Sequence, residues 1–166
     1  HRERLGPELR HPLREAAGQH RHVVAVGRMQ KRAAATSRDL LRAVGVRVPA
    51  HVVTPGVVIL STYDDAALDD WVGAHDFAKF TAHTITDRKR FHAYVLRART
   101  LGYWHSEQQL DAGLRGMSVA LIDRKGRCRG ALGMTVPMPA YKSGEHMVES
   151  VLPLLQETAQ QLRPVL

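Results

Sequence analysis

The sequence predicts an α+β fold, a mostly antiparallel sheet of about six strands with helices packed on it. Three observations carry this. Residues 116–123 and 127–136 read as strands on either side of Arg124-Lys125-Gly126, and a three-residue connection ending in glycine is a hairpin signal. Apolar residues at helical spacing, bounded by capping residues, recur before and after that hairpin. The chain has 166 residues, enough for one domain to bury a core without covalent staples.

Taken in order, Leu5, Leu9 and Leu13 form one stripe of a helix, which Pro12 bends or restarts. Residues 22–27 (HVVAVG) and 40–48 (LLRAVGVRV) are strand candidates. Thr54-Pro55-Gly56 precedes the apolar run 57–60, with threonine at the cap and proline in the first turn of a short helix. Residues 64–72 read as a second short helix bearing Asp64, Asp65, Asp69 and Asp70. A longer helix spans 86–101, with Asp87 near its start, Phe91, Tyr94 and Val95 on one side, and Gly102 to end it. Ser143 caps a last helix whose apolar side holds Met147, Val151, Leu154, Leu155 and Leu162, and Pro153 is a candidate kink.

Composition narrows the function. A single cysteine, Cys128, rules out an internal disulfide and points to a reducing, cytoplasmic setting. No stretch approaches the ~20 apolar residues of a membrane helix, and the start has neither an initiator methionine nor a signal-peptide core. The expectation is a piece of a longer protein. The formal net charge is +8, but the excess is local: residues 1–32 hold eight Lys/Arg against three acids, whereas 64–76 carries five aspartates. With aromatics at 5%, base-stacking platforms are too sparse for a nucleic-acid surface.

No GxSxG, GxGxxG, Walker or HExxH pattern occurs, and the ten histidines form no metal-ligand set. The expectation is therefore no catalytic residue, no metal and no cofactor. The hairpin offers something else. Alternation puts Gly116, Ser118 and Ala120 on one face of the first strand, and Ala131, Gly133 and Thr135 on one face of the second. Such a small-residue face leaves room either for a closely packed helix or for a ligand. The helix start at Thr54, Pro55 and Gly56 is either an ordinary cap or, through its free amides, a seat for a carboxylate. Arg42, between Leu40 and Val44 on one strand face, either stands in water or pairs with a ligand carboxylate.

Several runs together resemble the isocitrate lyase regulator (IclR) family. Gly102-Tyr103-Trp104, Glu107 to Leu110 and Gly113-Leu114-Arg115-Gly116 resemble its GY…EE…GLR signature. Asp123-Arg124-Lys125-Gly126 with Gly130 to Thr135 resembles its DxxG…AAL(S/N)VS hairpin, and Val48-Pro49-Ala50-His51 before Thr54-Pro55-Gly56 its LPAY…GR segment. The stretch TAHTITD at 81–87 is similar to that of the aromatic-degradation (β-ketoadipate-pathway) subgroup. The resemblance implies a GAF-like effector-binding domain at 18–166, preceded by the tail of a linker helix at 1–17. It places the winged helix-turn-helix that contacts DNA outside this chain. It also implies self-association to dimers or tetramers, and a pocket for a small carboxylate lined by Thr54, Pro55, Gly56, Ser106, Gly116, Gly133 and Thr135. Ser106 and Gly116 stand where some members carry an acid and a cysteine, and Gly133 where many carry Ser or Asn, which favours a bulkier, aromatic effector. The rival expectations are a small enzyme or a purely structural dimerisation module on the same fold.

Overall fold

The structure, a computed structural model, describes residues 23–24 and 47–166. Arg42, the expected linker helix and most of the two N-terminal strand candidates lie outside the described residues. Of those two candidates, Val23–Val24 (β1) and Arg47–Val48 (β2) pair antiparallel, Val23 opposite Val48.

The expected hairpin is the centre of the fold. Leu114–Ile122 (β4) and Cys128–Pro137 (β5) pair antiparallel, with an irregularity between Leu121 and Ile122. Asp123 builds the turn: Oδ1 accepts the backbone N–H of Lys125 (2.8 Å) and of Arg127 (2.9 Å), and Oδ2 accepts Arg127 Nε (2.9 Å). Gly126, at φ 74°, supplies the left-handed residue that the turn needs. A strand that the sequence reading passed over, Trp104–Glu107 (β3), pairs antiparallel with β4, giving the order β3-β4-β5. The described residues thus hold a three-stranded and a two-stranded sheet, where about six strands were expected.

Each face of the larger sheet has its own helices. Thr54–Leu60 (α1) is buried nearly all round, with Thr54, Gly56, Val57, Val58 and Leu60 shielded. Asp65–Ala74 (α2) is capped by Asp64, whose carboxylate accepts Ala67 N–H at 2.8 Å, and turns Leu68, Trp71 and Val72 inward. Arg88–Leu101 (α3) is capped by Asp87 and stopped by Gly102 at φ 76°. Its buried residues Phe91, Val95 and Ala98 recur every three to four positions, and Tyr94 is half-buried against Trp104, rings 5.1 Å apart. These three helices and Ala120 and Ala131 of the sheet share one core. Met117 and Val119, one step out of phase along β4, face the other way and pack with Met147, Val151 and Leu155 of Gly144–Leu162 (α4).

The expected apolar side of α4 needs one correction. Leu154 is 62% exposed: the helical repeat puts it beside Met147 but on the side away from Val151 and Leu155, at the edge of the buried arc. The helix runs through the exposed Pro153 without a break. Among the described residues, no helix is long and apolar enough to cross a membrane.

Candidate functional site

Strand register assembles most of the expected site. Ser106 of β3 lies opposite Gly116 of β4, which lies opposite Thr135 of β5. The next row on the same face is Trp104, Ser118, Gly133. Directly opposite residues project to the same side, so two hydroxyls flank a glycine across three strands. The start of α1 stands over this face: Thr54 Oγ1 and Ser118 Oγ are 2.7 Å apart, both buried, across 64 residues of chain. A methyl group on Gly116 would lie 3.3 Å from Thr135 Oγ1 and 3.4 Å from Thr54 Oγ1, so both hydroxyls border the space above that glycine. Thr54, Ser106, Gly116, Gly133 and Thr135 therefore gather on one sheet face. The half next to β4 is sealed by α1, whereas Ala131, Gly133 and Thr135 stay half-buried. Of the two arrangements left open for the small-residue face, the closely packed helix is the one seen, over Gly116 and Ser118.

Three details depart from the sequence reading. Thr54 is the first residue of α1 rather than its cap. Val53 caps it and, being valine, offers no side-chain acceptor, while the Thr54 hydroxyl is engaged by Ser118. The amides after Pro55 are not free: those of Gly56 and Val57 donate to the Val53 carbonyl at 3.1 and 3.4 Å. Gly56 serves a close approach, since a Cβ there would lie 2.2 Å from the Ala50 carbonyl oxygen. Pro55 is half-buried in the first turn, where its missing N–H removes no helical bond. Gly133 likewise does not open empty space. A Cβ on it would meet Ser118 Oγ at 2.1 Å and the Met117 carbonyl at 2.5 Å, so its lack of a side chain admits the serine hydroxyl.

Ser106 also borders a groove of about 600 Å³ along the outer edge of β3, between α3 and α4. Tyr94, Trp104, Gln109 and Val148 line it beside Ser106. Arg97, Glu107, Glu145 and Glu149 bring charge to its rim. Buried Arg115 meets Glu107 at 3.3 Å, and burial lowers the pKa of the neighbouring His105.

Two features went unanticipated. His51 and His75 are both buried, and His51 Nε2 donates to the Ala78 carbonyl (2.9 Å), leaving Nδ1 to accept from His75 Nε2 (2.8 Å). Burial lowers the pKa of His51, against the opposing pull of the Ala78 carbonyl and of Asp76. Gln109 binds the 83–85 backbone with its carboxamide. Neither has a local pattern in the sequence, since their partners lie about 25 residues away; only the Tyr103-Trp104 pair after the helix-ending glycine hinted at β3.

Known proteins match this chain in sequence and in shape. The Pca operon regulatory protein of Acinetobacter baylyi is 29% identical over 122 residues, 74% of this chain and 44% of that protein. The p-hydroxybenzoate hydroxylase transcriptional activator of the same organism is 29% identical over 119 residues, 72% of this chain and again 44% of that protein. The chain thus spans less than half the length of these relatives. The crystal structure of a double mutant of the PobR inducer-binding domain from Acinetobacter, in complex with 3-hydroxybenzoic acid, superposes with a TM-score of 0.70 at 28% identity, over 74% of this chain and 72% of that one. The IclR protein of Thermotoga maritima shares the fold, with a TM-score of 0.74 at 15% identity over 93% of this chain and 68% of that one. The family model described as bacterial transcriptional regulator IclR C-terminal matches residues 16–163, nearly the whole chain, which therefore belongs to that family.

Proposed function

We propose that residues 18–166 form the effector-sensing domain of a transcriptional regulator and bind a small aromatic carboxylic acid. One observation carries this reading: the Thr54 and Thr135 hydroxyls border Gly116, with Ser106 opposite it in strand register, on a face that α1 covers in part. The likeness to an inducer-binding domain that holds 3-hydroxybenzoic acid supports the choice of ligand class. Hydroxyls orient a ring substituent, and Arg42 is the candidate to receive the carboxylate. The protein is not an enzyme in this reading. It acts in the cytoplasm as a dimer or tetramer with a GAF-like sheet. Its ligand favours one of two arrangements of a longer regulator, whose DNA contacts are made by other segments.

The test is thermal unfolding of the chain with benzoate, the three hydroxybenzoates and their ring-cleavage products. A ligand present at 100 times its dissociation constant stabilises by about 2.7 kcal/mol. Thr135→Leu, which puts bulk beside Gly116 from a half-buried position, is expected to abolish that shift. If no acid shifts the wild-type transition, the sensor reading fails. If Thr135→Leu binds normally, the ligand lies elsewhere.

A further inference from the structure

Ser106 belongs to a four-residue strand that, among the described residues, pairs with β4 alone, so its other edge and its end draw on outside support. The support comes from segment 78–85, which has no helix or strand of its own. The Gln109 carboxamide joins the two: Oε1 accepts Ile85 N–H at 2.9 Å, while Nε2 donates to the carbonyls of His83 (2.9 Å) and Glu107 (3.2 Å). Thr84 Oγ1 donates to the Gln109 carbonyl at 2.7 Å, and Thr81 Oγ1 to that of Gln108. Gln108 turns the chain at φ 57° and returns its N–H to Leu114 at 2.7 Å. The far end of the same segment is held at Ala78 by His51, three residues before α1. Segment 78–85 therefore connects the two walls of the hydroxyl row.

We propose that Gln109 is a positioning residue of the effector site: its carboxamide ties 83–85 to the end of β3 and so fixes Ser106 beside Gly116 and Thr135. This rests on the sensor reading above. The carboxamide suits the task because it accepts and donates at once. A carboxylate keeps the bond from Ile85 and repels the two carbonyls; a methyl group keeps neither.

The test uses the whole chain, with Gln109→Ala, Gln109→Glu and, as a control, Asp123→Asn in the distant turn. Benzoate, 3-hydroxybenzoate and 4-hydroxybenzoate are titrated by calorimetry, and amide exchange is followed at Ile85. In Gln109→Ala, exchange at Ile85 is expected to quicken and affinity for the preferred acid to fall about tenfold, the scale of one lost hydrogen bond. The ranking among the three acids should also flatten, which lost stability alone does not produce. Gln109→Glu should keep Ile85 protected and fall between the two in affinity. Unchanged affinity and ranking in Gln109→Ala overturns the proposal, as does unchanged exchange at Ile85. Equal weakening by Asp123→Asn assigns the effect to stability and also overturns it. A wild-type chain that binds none of the acids removes the sensor reading and the proposal together; wild-type binding with an indifferent Gln109→Ala removes the proposal alone.

Discussion

Changing Thr54 to valine deletes one hydroxyl and strands another. Thr54 is 4% exposed and Ser118 1%, and their hydroxyls meet at 2.7 Å, so water cannot replace the missing partner. A buried hydroxyl left without a partner costs about 1–3 kcal/mol. Thr54→Val and Ser118→Ala should each lose a figure in that range. Removing both hydroxyls leaves nothing stranded, so the double variant should be more stable than the two losses added together, with a coupling on the order of 1 kcal/mol. Urea unfolding followed by the fluorescence of Trp71 and Trp104 measures all four proteins, both tryptophans being buried. For a chain of this length, 1 kcal/mol moves the thermal midpoint by roughly 2–4 °C, well within resolution. Losses that add within about 0.3–0.5 kcal/mol refute the claim that these hydroxyls depend on each other.

Stability should decline as the pH falls below about 6.5, the ordinary histidine value. Burial keeps folded His51 neutral while the unfolded chain takes up its proton, and the decline levels off below the depressed folded value. A thermal midpoint that is flat between pH 7.5 and 5.5, or as steep in His51→Gln as in wild type, contradicts this. Asp123→Asn should lower the urea midpoint, since one amide oxygen replaces two that accept the backbone and the Arg127 guanidinium. Its carboxylate is held below the usual range first by the Arg127 backbone N–H, so this stabilisation is present at neutral pH and disappears as the pH falls through the depressed value; an unchanged acid limb in the variant sinks the account. Gly133→Ala should destabilise by about 1–3 kcal/mol through overpacking against the Met117 carbonyl, and a neutral result means that the strands separate freely there. Arg42→Met should weaken a bound aromatic acid by about 1.5–3 kcal/mol if the guanidinium receives the carboxylate; equal affinities by calorimetry assign that task to other groups.

What could be read from the sequence were the features written locally. The hairpin turn depends on Asp123 and Gly126 within five residues, and the cap Ser143 precedes a helix it contacts three residues on; Asp64 and Asp87, read as lying inside their helices, cap them in the same way. Alternation along two neighbouring strands was enough to put Gly116, Ser118, Gly133 and Thr135 on one face. The cap at Thr54 misled because the same hydroxyl that suits a helix start suits Ser118 better, and that partner is 64 residues away. Gly133 misled for a related reason: a glycine marks a close approach without saying whether a ligand or a serine makes it. β3 was missed because four residues are too short to show a period, and the strand exists through its pairing with β4.

The hydroxyl row lies on a seam. On one side stand the hairpin and α4, joined through the Met117–Met147 core; on the other stand α1, α2 and α3 with theirs. The hairpin closes over a short turn, whereas docking α1 on it closes a loop of 64 residues, an entropically later event. When the molecule opens in part, it should open along this seam, with the sheet surviving the departure of the helical layer. A small molecule bound there would touch both layers, and so act as a rivet through the line where the protein is expected to part.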